Sequence, residues 1–425
     1  MSLLKSISLM GVTGVARLGA SLATFAITAR ILGVERYGEL MYWMSIASLL
    51  TIVSNFGLVG MLLKEVGQRP LEAVEIFSES MSAKLIIVGT IVLSAFIALP
   101  FIDAPRRGVF LLLLAAMLFE GFTEFFNSGF RARSRFGVET RIAMVSAWVY
   151  PLSVGLVAWL SQSLLAIAAA YMFSRGLITW LTWRQVGLVL GKVRPATVKV
   201  GLVSIRNSLS YAVDAALGGV FGQIDSVVLN HFLGHAAVGV HQAGMRLFLA
   251  GTGFGSILAN VFLPRAAAAH VGTADAYAAE NGKLQLSFLV VGAGFGLIMA
   301  VGGQWFAPLL FGKSFNAVVP LMPWFGLLFM VRFAGLAWSI ALTAQGKQWY
   351  RAKVAAVHWV LTFATAWFAV PALGNVGWLM ALIAGNALLL VAYAAKAAHR
   401  TSGDAKTLGL TVVLLFVFVP MLSIR

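Results

Sequence analysis

Thirteen apolar stretches run through this chain almost without interruption, each near the ~20 residues a helix needs to cross the hydrocarbon core of a bilayer. They fall at about 8–31, 38–63, 81–103, 108–129, 138–160, 164–187, 207–233, 238–263, 284–306, 316–343, 354–371, 375–396 and 407–424. The connections between them are too short to hold a soluble domain. With 60% of residues hydrophobic and only 11% charged, the sequence predicts an all-α polytopic membrane protein of about 12 to 13 transmembrane helices. The first stretch is too long for the apolar region of a signal peptide and carries Arg17 inside it, so it is expected to remain as a helix. Cysteine is absent, which removes disulfides and thiolate metal sites from consideration.

Lys and Arg placement predicts orientation, because positive flanks resist translocation. Alternate connections collect Lys5, then Lys64, Arg69 and Lys84, then Arg131, Arg133, Arg135 and Arg141, with further clusters at 184–206, 265–283, 347–353 and 396–406. The opposite set holds only Arg36, Arg106, Arg107, Lys313 and Arg425. The amino terminus is therefore expected in the cytoplasm. The formal charge of +16 then reports topology against an anionic lipid surface, and no nucleic-acid partner is expected.

Leu32 to Met41, LGVERYGELM, returns as LGHAAVGVHQ, Leu233 to Gln242, at an offset of 201 residues. Six predicted crossings separate the copies, so both point the same way, as in a parallel repeat. Gly33 and Gly234 are expected to end helices in a left-handed conformation, and Gly38 and Gly239 to open the next helices. The same offset maps the polar stripe Thr13, Arg17, Ser21, Thr24 onto Asp214, Gly218, Gly222, Asp225, each on one helix face. This divides the chain into an N-terminal six-helix bundle at 1–200, a C-terminal six-helix bundle at 201–400, and an extra C-terminal membrane segment at 401–425.

Charges at membrane depth are costly and tend to mark function. Arg17, Arg175, Arg246 and Arg332 come from four predicted helices in both halves. Glu120 and Glu124, with Asn127, share one face of the fourth stretch. For any single arginine, a structural salt bridge or a snorkelling end is as good an account, and the two glutamates have a ready partner in Arg131 or its neighbours. The glycine runs at Gly251 and Gly292 follow no predicted strand, so helix packing explains them better than nucleotide binding. His231, His235 and His241, and tryptophans such as Trp43, Trp159, Trp305 and Trp378, are expected at membrane interfaces.

RILGVERYGELMYWMSIASLLTIVSNFGLVGMLLKEVG, the basic run FRARSRFGVETR and IDSVVLNHFLGHAAVGVHQAGMRL resemble the corresponding regions of the Wzx-type oligosaccharide flippases. Those are polysaccharide biosynthesis proteins of the MOP (multidrug/oligosaccharidyl-lipid/polysaccharide) exporter superfamily. The resemblance implies a MATE-like fold of two six-helix bundles around a central cavity, in the bacterial inner membrane. It implies translocation of undecaprenyl-pyrophosphate-linked oligosaccharide from the cytoplasmic to the periplasmic leaflet, with polysaccharide polymerase and chain-length proteins as candidate partners. Neither catalysis nor a cofactor is expected. On that reading Arg17, Thr24, Arg175, Arg246 and Arg332 line the site for diphosphate and sugar. Asp214 and Asp225 are candidate proton or sodium sites, and Glu120 and Glu124 form a second acidic site. A MATE-like cation antiporter and a membrane polymerase or ligase stay open as alternatives.

Overall fold

A computed structural model describes residues 3–55, 57–220 and 223–397, and their side chains except at 3–10, 53, 210–220, 256 and 257. The thirteenth apolar stretch, 407–424, and the segment 401–425 lie outside the described residues. Every described element is helical: α1 (Leu3–Asn55), α2 (Leu58–Gln68), α3 (Ala73–Ala98), α4 (Ala104–Ala132), α5 (Phe136–Ser161), α6 (Leu164–Val189), α7 (Val198–Val220), α8 (Ile224–Leu233), α9 (His235–His270), α10 (Ala274–Phe311), α11 (Met322–Ala344), α12 (Gln348–Leu373) and α13 (Asn375–Ala397), with three short 3₁₀ turns. Ten helices among the described residues are long and apolar enough to cross a membrane.

α1 is two helical stretches that meet at Gly33, where φ is 71° and ψ is 177°. Gly234 repeats that conformation ahead of α9, with φ 81° and ψ −177°. This is not the left-handed helical cap expected at these positions but an extended, positive-φ region that is essentially closed to residues with a Cβ. Helix resumes at the next residue, so Gly38 and Gly239 sit inside helices and do not open them. The chain doubles back at Gly33. Glu39 pairs with Arg106 at the start of α4, whereas Arg17 pairs with Glu124 and a Cβ on Gly121 would lie 3.0 Å from Ser54 Oγ. Residues 17 and 54 thus reach the same turn of α4 from opposite ends of one element.

Contacts divide the chain into two compact units, Met1–Asn230 and His231–Arg425. In the first, α1 packs on α5 and α4, α4 on α6, and α3 on α7. In the second, α11 lies at the centre, against α9, α10 and α13. Apart from Arg332 its sequence is largely apolar, and Phe325, Phe329, Met330, Ala337 and Leu342 are buried all round it, as an enclosed helix requires. The glycine runs pack helices: a side chain at Gly251 would strike Phe295, and one at Gly292 would strike Phe333. His241 is fully buried against Phe325, with ring centroids 5.3 Å apart, and Trp43 and Trp378 are also buried. Trp159 and Trp305 are exposed.

Candidate functional site

A cavity of about 490 Å³ lies within the first unit, between the two stretches of α1 and α4, α5 and α6. The predicted stripe forms one wall: Arg17, Ser21 and Thr24 line the cavity, while Thr13 donates to Thr140 Oγ1 at 3.0 Å. Thr24 spends its own hydroxyl on Ala20 O at 2.6 Å. The second stretch of α1 adds Ser48, Thr51 and Asn55, and α5 adds Ser146 and Tyr150. α4 presents Glu120, Glu124 and Asn127, which recur at the spacing of one helix face.

Charge in this cavity is organised by pairs. Arg131, at the end of α4, donates to Glu139 twice, Nε to Oε2 at 2.9 Å and Nη2 to Oε1 at 2.6 Å, and reaches Glu124 Oε1 at 2.6 Å. Arg17 joins from α1 at longer range, 3.0 Å to Glu139 and 3.4 Å to Glu124. Across the cavity, Arg175 of α6 lies 2.5 Å from Glu120. Its Nη1 is 3.0 Å from Met117 Sδ, and its guanidinium sits over the Tyr171 ring at 5.7 Å. Three guanidiniums thus meet three carboxylates. The third carboxylate, Glu139, is one that the sequence does not single out.

Lys84 extends the cluster behind the wall. It was counted among the loop cations, yet it lies within α3 and is fully buried. Its Nζ donates to Ser54 O and Ser54 Oγ, both at 3.0 Å, and to Asn55 Oδ1 at 2.7 Å.

The remaining predicted residues lie elsewhere. Arg246 on α9 and Arg332 on α11 are half-buried in the second unit, and Arg332 is close enough to His358 of α12 to act on it electrostatically. Asp225 is fully buried at the start of α8, where Oδ1 accepts from Ser226 N at 2.7 Å. Ser226 Oγ in turn accepts from Ser45 at 2.9 Å, tying α8 to α1. The side chain of Asp214, on α7, lies outside the described residues. Arg17, Thr24, Arg175, Glu120 and Glu124 are therefore gathered in one cavity.

A family model for "polysaccharide biosynthesis protein" matches residues 3–270. The chain belongs to that family. A relative in Haloferax volcanii, a probable low-salt glycan biosynthesis flippase, Agl15, is 25% identical over 256 residues, 58% of this chain and 52% of its own. The match thus spans about half the length of that relative. Among solved structures, an inward-facing multidrug resistance MATE transporter of the MOP superfamily superposes with a TM-score of 0.70 at 14% identity, covering 94% of this chain and 95% of the other. The lipid II flippase MurJ in its inward closed conformation gives 0.69 at 13%, covering 97% and 92%. A MOP transporter from Pyrococcus furiosus gives 0.62 at 13%, covering 96% of each. At such identities the likeness establishes the fold alone: a MATE-like helical architecture, here with ten helices among the described residues long and apolar enough to cross a membrane.

Proposed function

We propose that this protein is a flippase that moves polyprenyl-pyrophosphate-linked oligosaccharide from the cytoplasmic to the periplasmic leaflet of the bacterial inner membrane, its amino terminus in the cytoplasm. The observation that carries the reading is the loose seat of Arg17. Both of its carboxylates are held more closely by Arg131, so Arg17 leaves them without orphaning either. A diphosphate, like a carboxylate, presents pairs of oxygens to the two-pronged guanidinium, and it carries more charge. Arg175 has the same option, since its partner Glu120 is 59% exposed and free to turn away. The paired state keeps the empty cavity close to neutral; the substrate then exchanges for Glu124 and Glu120. Ser21, Ser48, Thr51, Asn55 and Asn127 supply hydrogen-bonding groups for a hydrated sugar. A headgroup of this kind does not cross hydrocarbon, whereas its polyprenyl tail remains in lipid.

Family membership and the similarity to the Haloferax glycan biosynthesis flippase support this assignment. Alternating access by the two units supplies the transport cycle. Arg246 and Arg332 are proposed as further diphosphate contacts from the second unit, and Asp214 and Asp225 as the ion-coupling pair. Glu120 and Tyr150 on the cavity wall favour a second reading, a MATE-like cation antiporter.

Proteoliposomes separate the two. With a fluorescent undecaprenyl-pyrophosphate-linked oligosaccharide in the inner leaflet, the protein should bring the label within reach of an impermeant quencher outside. Counterflow of an organic cation without any movement of the labelled lipid would establish the antiporter instead.

A further inference from the structure

Lys84 is the one cation of the cluster with no carboxylate among the described residues, and it is fully buried. The described carboxylates of α4 and α2, which pack against α3, are committed elsewhere, and the side chain of Asp214 on α7 lies outside the described residues. On α4, Glu120 pairs with Arg175, and Glu124 with Arg17 and Arg131. At the end of α2, Glu65 pairs with Arg69. Lys64 of α2 and Lys199 and Arg206 of α7 bring no negative charge, and Glu75 and Glu79 on α3 itself make no ion pair with Nζ.

In place of a carboxylate, the amine holds three oxygens. All belong to Ser54 and Asn55, the last two residues of α1. The chain then breaks, with Gly57 at φ 71°, before α2 begins. A cation here meets the negative end of the α1 dipole and its open carbonyls. The site is also close to the cavity. Asn55 and Gly121 both line it, and a Cβ on Gly121 would stand 3.2 Å from Nζ. Glycine at 121 is what leaves room for the amine, and Phe122 closes the site with its ring centroid 5.2 Å away.

We propose that Lys84 is a proton-exchange site whose charge state fixes the joint between α1 and α2, and with it one wall of the cavity. An ammonium has three N–H donors, which the three acceptors match. The neutral amine has two donors and a lone pair, into which the Ser54 hydroxyl can donate; what it loses is the charge that strengthens its hydrogen bonds to Ser54 O and Asn55 Oδ1 and draws it to the negative end of α1. The end of α1 is then released. Because the site abuts the cavity, protonation and an anion in the cavity favour each other reciprocally. This goes beyond the flippase reading and does not depend on it, since its signature is a change of conformation with pH.

The test uses spin labels on the cysteine-free full chain in nanodiscs, at the exposed positions Leu63→Cys on α2 and Leu188→Cys on α6. Between about pH 6 and about pH 9, the distance distribution should shift. Lys84→Arg should hold the low-pH distribution throughout, and Lys84→Met the high-pH one. Asn55→Asp, which gives the ammonium a carboxylate, should also hold the low-pH form, and it keeps the measurement informative if Lys84→Met does not fold. A shift that survives in the arginine and aspartate variants overturns the proposal, and so does the absence of any shift in the wild-type background. Failure of the lipid-flipping assay alone would count against the flippase reading and leave this readout untouched.

Discussion

Arg17 lies 3.0 Å from Glu139, but only as that carboxylate's second cation, because Arg131 holds the same Oε1 at 2.6 Å. The two arginines are therefore unequal. Glu139 is 5% exposed at its side chain and Arg131 20%, whereas Arg17 is 38% exposed toward the cavity. Arg131 maintains the fold of this corner; Arg17 is available to a ligand.

The first prediction follows from that inequality. Arg131→Ala leaves a buried carboxylate with its weaker partner only and should destabilise the protein by about 3–5 kcal/mol, the cost of breaking a buried pair. Arg17→Ala should leave the melting temperature in a detergent micelle nearly unchanged while abolishing lipid flipping. Arg17→Lys should restore flipping in part, since lysine keeps the charge and loses the fork. Equal loss of stability in Arg17→Ala and Arg131→Ala would return Arg17 to a structural role.

Much of this corner is written in the sequence, and what is not has a physical cause. The stripe Arg17, Ser21, Thr24 announces an inward face, because a charge at that spacing cannot face lipid. The two turns at Gly33 and Gly234 are announced by their repeat. Glu139 is harder: it stands inside the basic run FRARSRFGVETR, and only the fold shows that α4 and α5 turn Arg131 back onto it. Lys84 lies near a cluster of loop cations, and nothing local distinguishes a lysine that snorkels from one that caps the end of α1. The serine and asparagine that receive it are 30 and 29 residues distant. Pairing across helices is a tertiary fact.

The second prediction concerns Glu120. Arg175 keeps its sulfur and ring contacts when that carboxylate is neutralised, so Glu120→Gln should free a guanidinium already positioned in the cavity. Titration calorimetry with inorganic pyrophosphate should then show binding about tenfold tighter than wild type, ~1.4 kcal/mol. Weaker binding in the glutamine variant would mean that Glu120 orients Arg175 for the anion and does not compete with it.

Orientation gives the third. Ser134 and Ser161 are exposed at opposite ends of α5, 26 residues long, which at 1.5 Å per residue separates them by about 39 Å. In the cysteine-free chain, Ser161→Cys should react with a membrane-impermeant thiol reagent in intact cells and Ser134→Cys should be shielded. The reverse pattern would place the amino terminus outside.

The last concerns energy coupling. Asp225 is fully buried, and its Oδ1 accepts the Ser226 amide in the first turn of α8. An asparagine keeps an acceptor oxygen for that amide, so Asp225→Asn removes the charge while retaining the local hydrogen bond. If this carboxylate takes up a proton or sodium in one state and releases it in the other, the variant should bind lipid-linked oligosaccharide normally and lose acceleration by an imposed gradient. Asp214→Asn, made in parallel, should behave the same way if the two aspartates act together. A fixed structural charge predicts something different: lower thermal stability in Asp225→Asn, with the surviving protein still responding to the gradient. Measuring flipping in proteoliposomes with and without a proton or sodium gradient, beside the melting temperature of each variant, separates the two outcomes in one preparation.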